Sequence, residues 1–239
     1  MDKTCRTLQR LNEPGPPKLL VSLPANDVEL AKAALAGGAD GLKVHINITH
    51  AAAGVHFGSL DEEAAQIEQI VALGLPVGIV PGDGSKMIVS AELARLAQLG
   101  LDFCDVYLSA MPAWLLDAPP LGVMVAVGAG DMLLAARLNS LAALPGVQMI
   151  EASVIPHDGY GHALSVGDLC DYTTVVRALI PVHRPVIVPT QRRIIPEDLP
   201  ALAKTGIRGL LIGAIVTGKG ATGIEAATRQ YAAALSQLS

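Results

Sequence analysis

Eight short runs dominated by Val, Ile and Leu recur along the chain, at residues 18–23, 41–48, 76–80, 103–109, 122–127, 147–154, 186–188 and 210–212. Most are followed by a helical pattern that stops at glycine, as at Gly37-Gly38, Gly74, Gly100 and Gly206. Strands this continuously apolar imply a parallel sheet covered by helices. Eight such units in 239 residues fit the size at which a parallel sheet closes on itself, about 250 residues. The expected class is α/β, a single-domain (β/α)8 TIM barrel over residues 18–239. An open doubly wound sheet competes with it. Such a sheet usually carries a glycine-rich turn after its first strand, where this chain has Leu23-Pro24-Ala25-Asn26. Residues 1–17 are polar and end in Pro14-Gly15-Pro16-Pro17. They read as an arm covering the barrel bottom.

Local signals set the helix starts. Ser59 with Glu62, and Ser165 with Asp168, have capping-box spacing. The proline-rich 111–120 segment leaves room for one or two turns only, a fifth helix should open at Asp131, and the last should run from about Gly223. Half the residues are hydrophobic but only 3% aromatic, so Ala, Leu, Val and Ile must fill the core.

The net charge of −5 gives no basic footprint for nucleic acid. No apolar run reaches membrane-spanning length. Residues 1–11 are charged and polar, unlike a secretory leader. Cys5, Cys104 and Cys170 have neither zinc spacing nor a disulfide framework. A reducing cytoplasm is the expected address, and a homo-oligomer stays open.

The second run alternates: Leu42, Val44, Ile46 and Ile48 against Lys43, His45 and Asn47. The apolar set needs the helix layer, which turns the polar set into the barrel. Barrel interiors are normally filled by branched apolar side chains, so an inward polar row needs a cause. Asp105, Tyr107 and Ser109 repeat the pattern, as do Glu151 and Ser153. These residues are expected to converge on a small polar substrate at the C-terminal mouth. Lys43 would be a Schiff-base nucleophile or acid/base if burial lowers its pKa. Asp105 and Glu151 would transfer protons, and His45 would donate to a developing oxyanion. The bland reading is an inert buried ion pair between Lys43 and one carboxylate.

Residues 184–220 organise the C-terminal end. Val186-Ile187-Val188 leads into Thr190-Gln191-Arg192-Arg193, then Pro196-Glu197-Asp198 opens a helix, and Leu210-Leu211-Ile212 breaks into Gly213-Ala214 and a Gly/Thr/Lys loop. In barrels of this kind, phosphate commonly sits at the loops after strands seven and eight. Gln191, Arg192 and Arg193 are candidate anion-binding side chains, and Gly213 and Ala214 candidate backbone donors. This last quarter resembles the ribulose-phosphate-binding barrels, nearest to the N-acetylmannosamine-6-phosphate 2-epimerase branch in its Arg193-Ile194…Pro196-Glu197-Asp198-Leu199…Gly209-Leu210-Leu211-Ile212-Gly213 pattern. The resemblance implies a phosphorylated sugar-like substrate. That family's catalytic lysine at the end of strand three and glutamate at the end of strand seven have no counterparts here, where Val80 and Val188 stand.

The loops after strands two and six carry His50, His56, His157 and His162, and their length and glycines suit lids. His157 is the candidate substrate contact. His157, Asp158 and His162 fit no strong metal spacing, so no metal and no cofactor is expected. The leading expectation is an isomerase, epimerase or lyase that moves a proton next to a carbonyl in a small phosphorylated metabolite. The alternative is a non-catalytic barrel that binds such a ligand or serves a larger assembly. A prenyl transferase ranks last, because no acidic metal site follows strand one.

Overall fold

A computed structural model describes residues 5–50, 52–84, 86–117, 120–133 and 135–238. Residues 1–4 of the expected arm lie outside them. Eight parallel strands form the barrel: β1 Lys18–Ser22, β2 Gly41–His45, β3 Val77–Val80, β4 Phe103–Tyr107, β5 Gly122–Gly128, β6 Met149–Ser153, β7 Val186–Pro189 and β8 Gly209–Ile212. Each pairs with its sequence neighbours, and β1 closes the ring on β8 with Lys18 opposite Gly209 and Val21 opposite Ile212. The closed barrel excludes the open-sheet alternative.

The helices are α1 Arg6–Asn12, α2 Val28–Gly37, α3 Leu60–Val71, α4 Ser90–Gln98, α5 Ala135–Ala142, α6 Val166–Leu179, α7 Leu199–Ala203, α8 Ala214–Thr217 and α9 Ala221–Ser236. Both capping boxes form. The Glu62 carboxylate accepts from the Ser59 amide at 2.7 Å, and Ser165 and Asp168 exchange bonds at 2.8 and 3.2 Å. The proline-rich connection after β4 is a 3-10 turn, Ala113–Asp117.

The fourth and sixth strands are shorter than expected, Phe103–Tyr107 and Met149–Ser153, which leaves Ser109 outside the strand and exposed, and three further boundaries differ. β2 stops at His45, because Asn47 takes a left-handed φ of 59°, a conformation open to Asn that ends an extended run. Asp131 lies in a 3-10 turn, Ala129–Leu133, and accepts from the Gly128 amide at 3.0 Å, so α5 begins only at Ala135. The stretch read as a Gly/Thr/Lys loop after β8 opens with the extra helix α8.

The inward positions fall into two layers. At the bottom, Leu20, Phe103, Met124, Met149, Ile187 and Leu211 form one buried apolar cluster with Cys5 and Leu11 from the arm. Gly78 makes room for it, since a Cβ there would lie 2.0 Å from Phe103 Cζ. Asp102, just before β4, accepts from the amides of Arg6 at 2.9 Å and Thr7 at 2.7 Å. A carboxylate there satisfies two of the N–H groups a helix start leaves orphaned and suits the positive end of α1. Arg208 donates to the carbonyls of Leu11, Glu13 and Gly15. The arm is thus a helical stopper fastened at both ends.

Candidate active site

Above the apolar layer lies a cavity of about 330 Å³, lined by the C-terminal ends of the strands and the loops that follow them. A volume near the lower end of the ligand-pocket range suits a small molecule. Of the residues singled out in the sequence, it brings together Lys43, His45, Asp105, Tyr107, Glu151, Ser153, His157, Gln191, Gly213 and Ala214.

Lys43, Asp105 and Glu151 sit at inward positions of β2, β4 and β6 and are 6%, 2% and 5% exposed. The Lys43 ammonium donates to Asp105 Oδ2 at 2.8 Å and to Glu151 Oε2. The other Glu151 oxygen, Oε1, accepts from Ser153 Oγ at 2.6 Å. Asp105 Oδ1 is buried with no hydrogen-bond partner among the described residues.

One ammonium therefore faces two carboxyl groups. Burial alone would lower the Lys43 pKa, but the two carboxylates outweigh it and hold the pKa above the ordinary lysine value. Burial also pushes Asp105 up, to about 8, helped by the charge of Glu151 and opposed by Lys43. Glu151 moves the other way: burial would raise it, but Lys43 and the surrounding hydrogen bonds keep it below its usual value. At neutral pH the cluster is an ammonium, a carboxylate and a carboxylic acid. This corrects the expectation that Lys43 is a neutral nucleophile.

His45 and His50 are neutral at pH 7. Burial lowers His45 well below its ordinary pKa, with His50 and Lys43 adding to the effect. Burial and Lys43 bring His50 to about 4. At the rim, Thr190 Oγ1 accepts from the Gly213 amide at 3.0 Å. The buried Gln191 accepts from the Ile155 amide at 3.1 Å and donates to Tyr160 Oη at 2.7 Å.

Three predicted residues stand elsewhere. Asn47 is buried but turned aside by its left-handed backbone, and its amide donates to the Pro81 carbonyl at 3.3 Å. Arg192 is consumed by the protein: it donates to Asp168 Oδ1 at 2.9 and 3.1 Å and to the Gly159 carbonyl at 2.7 Å. Arg193 is exposed and does not line the cavity. The arginine clamp expected for phosphate is not assembled. Lining residues that the sequence reading did not place in the site include Ser22, His50, Tyr160, Thr190 and Ile215. Ser22 was within reach of the two-residue period, since it stands two positions after the inward Leu20.

Among the described residues, no cluster of three or more His, Cys, Asp or Glu could hold a metal ion, and no helix is long and apolar enough to cross a membrane.

Fold and site together define a single (β/α)8 barrel with a polar pocket at its C-terminal mouth. Solved structures share that fold. A thiamine phosphate pyrophosphorylase from Pyrococcus furiosus superposes with a TM-score of 0.65 at 17% identity, covering 96% of this chain and 98% of that one. A phosphoribosyl anthranilate isomerase from Thermus thermophilus does so at 0.62 and 18%, covering 90% and 98%. The citrate synthase SbnG follows at 0.58 and 14%, covering 86% and 89%. These three names describe three different reactions, so the likeness carries the fold and not the chemistry. No protein-family model matches the chain, and no curated protein matches it.

Proposed function

We propose that this barrel is an enzyme that moves a proton next to the carbonyl of a small phosphorylated metabolite, as an isomerase or epimerase does. The observation that carries the reading is the excess carboxyl group in the Lys43–Asp105–Glu151 cluster. An inert ion pair needs one carboxylate per ammonium, with its remaining lone pairs satisfied. Here a second carboxyl is present, its pKa is raised to about 8, and Oδ1 has no partner among the described residues. A general acid/base works best with a pKa close to the working pH.

In this scheme the ionised form of Asp105 takes the proton from carbon, and the electron pair of the C–H bond moves onto the carbonyl oxygen. Lys43 has three N–H bonds, of which two go to the carboxyls; the third stabilises the new oxyanion. Asp105 then returns its proton to carbon or to oxygen. Glu151, held ionised, keeps Lys43 cationic. The phosphate rests at the rim on the Thr190 hydroxyl and the amides of Ala214 and Ile215, donors that the first turn of α8 leaves without intrahelical acceptors. No arginine takes part.

The test is exchange of substrate C–H for deuterium in D2O, followed by NMR, over a panel of phosphorylated hydroxyketones and aldoses. Wild type should exchange at least one of them, and Asp105→Asn should slow that exchange by about 10²–10⁴-fold. Panel members that bind to wild type yet never exchange would sink the catalytic reading. One observation favours a second reading: both carboxyls contact Lys43, as a non-catalytic ligand-binding barrel would arrange them. In that case Asp105→Asn leaves binding intact and wild type exchanges nothing.

A further inference from the structure

His45 and His50 form a unit that the proton-transfer chemistry above leaves unused. Both line the cavity, with ring centroids 4.6 Å apart and the rings near perpendicular at 72°. Phe57 backs His45 at 4.8 Å. His45 sits at the inward end of β2 and is 1% exposed. Its Nε2 lies 3.4 Å from Ser22 Oγ on β1, and its Nδ1 has no partner among the described residues. His50 belongs to a two-stranded hairpin over the mouth, Thr49–His50 paired with Val55–His56.

The Ala53 amide donates to His50 Nδ1 at 3.1 Å. A nitrogen that accepts carries no proton, so the neutral His50 ring presents Nε2–H as a donor. If His45 uses its own proton on Ser22, its Nδ1 is a bare acceptor. A buried polar atom without a partner is costly, and His45 lines the cavity, from which a ligand can supply one. One donor beside one acceptor, both uncharged, is the complement of a hydroxyl group, which is itself both. A carbonyl or phosphate oxygen offers acceptors only and would leave Nδ1 unsatisfied.

We propose that His45 and His50 together bind a hydroxyl group of the substrate, on the carbon next to the reacting carbonyl, so that the substrate class is an α-hydroxy carbonyl compound. The proposal rests on the proton-transfer reading for the position of the carbonyl. It stands on ring contacts, tautomer and the orphan nitrogen for the hydroxyl. The two histidines act as specificity residues: they touch the substrate and select it, while Asp105 moves the proton.

The experiment uses ¹⁵N-histidine-labelled full chain, with dihydroxyacetone phosphate and acetol phosphate as probes, which differ by one α-hydroxyl group. The His45 Nδ1 and His50 Nε2 resonances should shift with dihydroxyacetone phosphate and stay in place with acetol phosphate. The affinity ratio should be about tenfold, the size expected for one unpaired buried polar group. In His50→Phe the ratio should fall to about one. Equal histidine shifts with both probes, a ratio near one in wild type, or a ratio that survives in both His50→Phe and His45→Phe would overturn the proposal. So would the absence of any histidine response to either phosphate or to unphosphorylated dihydroxyacetone. Histidine shifts without deuterium exchange of the bound probe would remove the catalysis and leave the hydroxyl site standing. The wild-type resonances decide the matter even where a variant fails to fold.

Discussion

The lower and upper halves of the barrel interior obey the same geometry and hold opposite chemistry. On β4, Phe103 and Asp105 point the same way, two residues apart; on β6, Met149 and Glu151 do the same. The lower member of each pair belongs to the apolar cluster that takes in Leu11 of α1, and the upper one meets an ammonium. One step along a strand, roughly 7 Å, separates a dry layer from a charged one. The lower layer holds the ring rigid by filling space. That rigidity lets the upper layer keep a surplus carboxyl group and an unpartnered nitrogen, features a looser scaffold would relax away.

Matched truncations should break the comparison most sharply. Lys43→Met strands two buried carboxyl groups and should lower stability by about 3–5 kcal/mol, read as a fall in the urea midpoint. Adding Glu151→Gln to it should restore a large part of that loss. A Lys43→Met variant as stable as wild type would mean the upper layer is not a charged cluster. Leu11→Ala, in the stopper, should cost about 2–4 kcal/mol by opening a cavity. It should leave ligand affinity at the mouth unchanged, and a joint loss would show that the two layers are not separable.

The next effect is a pH slope. The folded-state pKa of Asp105 lies above its unfolded value of about 3.9. The folded protein therefore holds that proton more tightly, and the contribution is fully present below about pH 4. It declines as the pH rises toward about 8. Asp105→Asn should flatten this decline in urea titrations between those limits. A wild type that gained stability from Asp105 over the same interval would place the shared proton elsewhere. The smallest effect concerns the rim: Arg192→Ala with Arg193→Ala should cost about 1–2 kcal/mol through the lost bonds to Asp168 and Gly159. Phosphate affinity by calorimetry should stay within about twofold of wild type. A larger drop would bring the arginines back into the anion site.

The layer contrast was legible in the sequence wherever a strand is regular. A polar residue at every second place in an apolar run can only face inward, and that argument finds Lys43, His45, Asp105, Glu151 and Ser153. It fails where the backbone leaves the strand. Asn47 continues the alternation in the sequence, but a φ of 59° turns it out of register. It fails again for Arg192, whose partner Asp168 lies 24 residues upstream and belongs to the next helix over. Chain position places an arginine near the rim; it says nothing of which acceptor claims it. The charge state of Lys43 was equally out of reach, because it depends on whether one carboxylate or two converge on it.

The stopper also governs traffic. With α1 fastened to Asp102 and Arg208, the described residues give the vessel a floor, and the cavity lies at the opposite end, above Lys43. His50 of the hairpin lines that cavity, so a bound molecule leaves beside it. On the proposed reading, turnover then has a built-in queue: a product that lingers competes directly with incoming substrate.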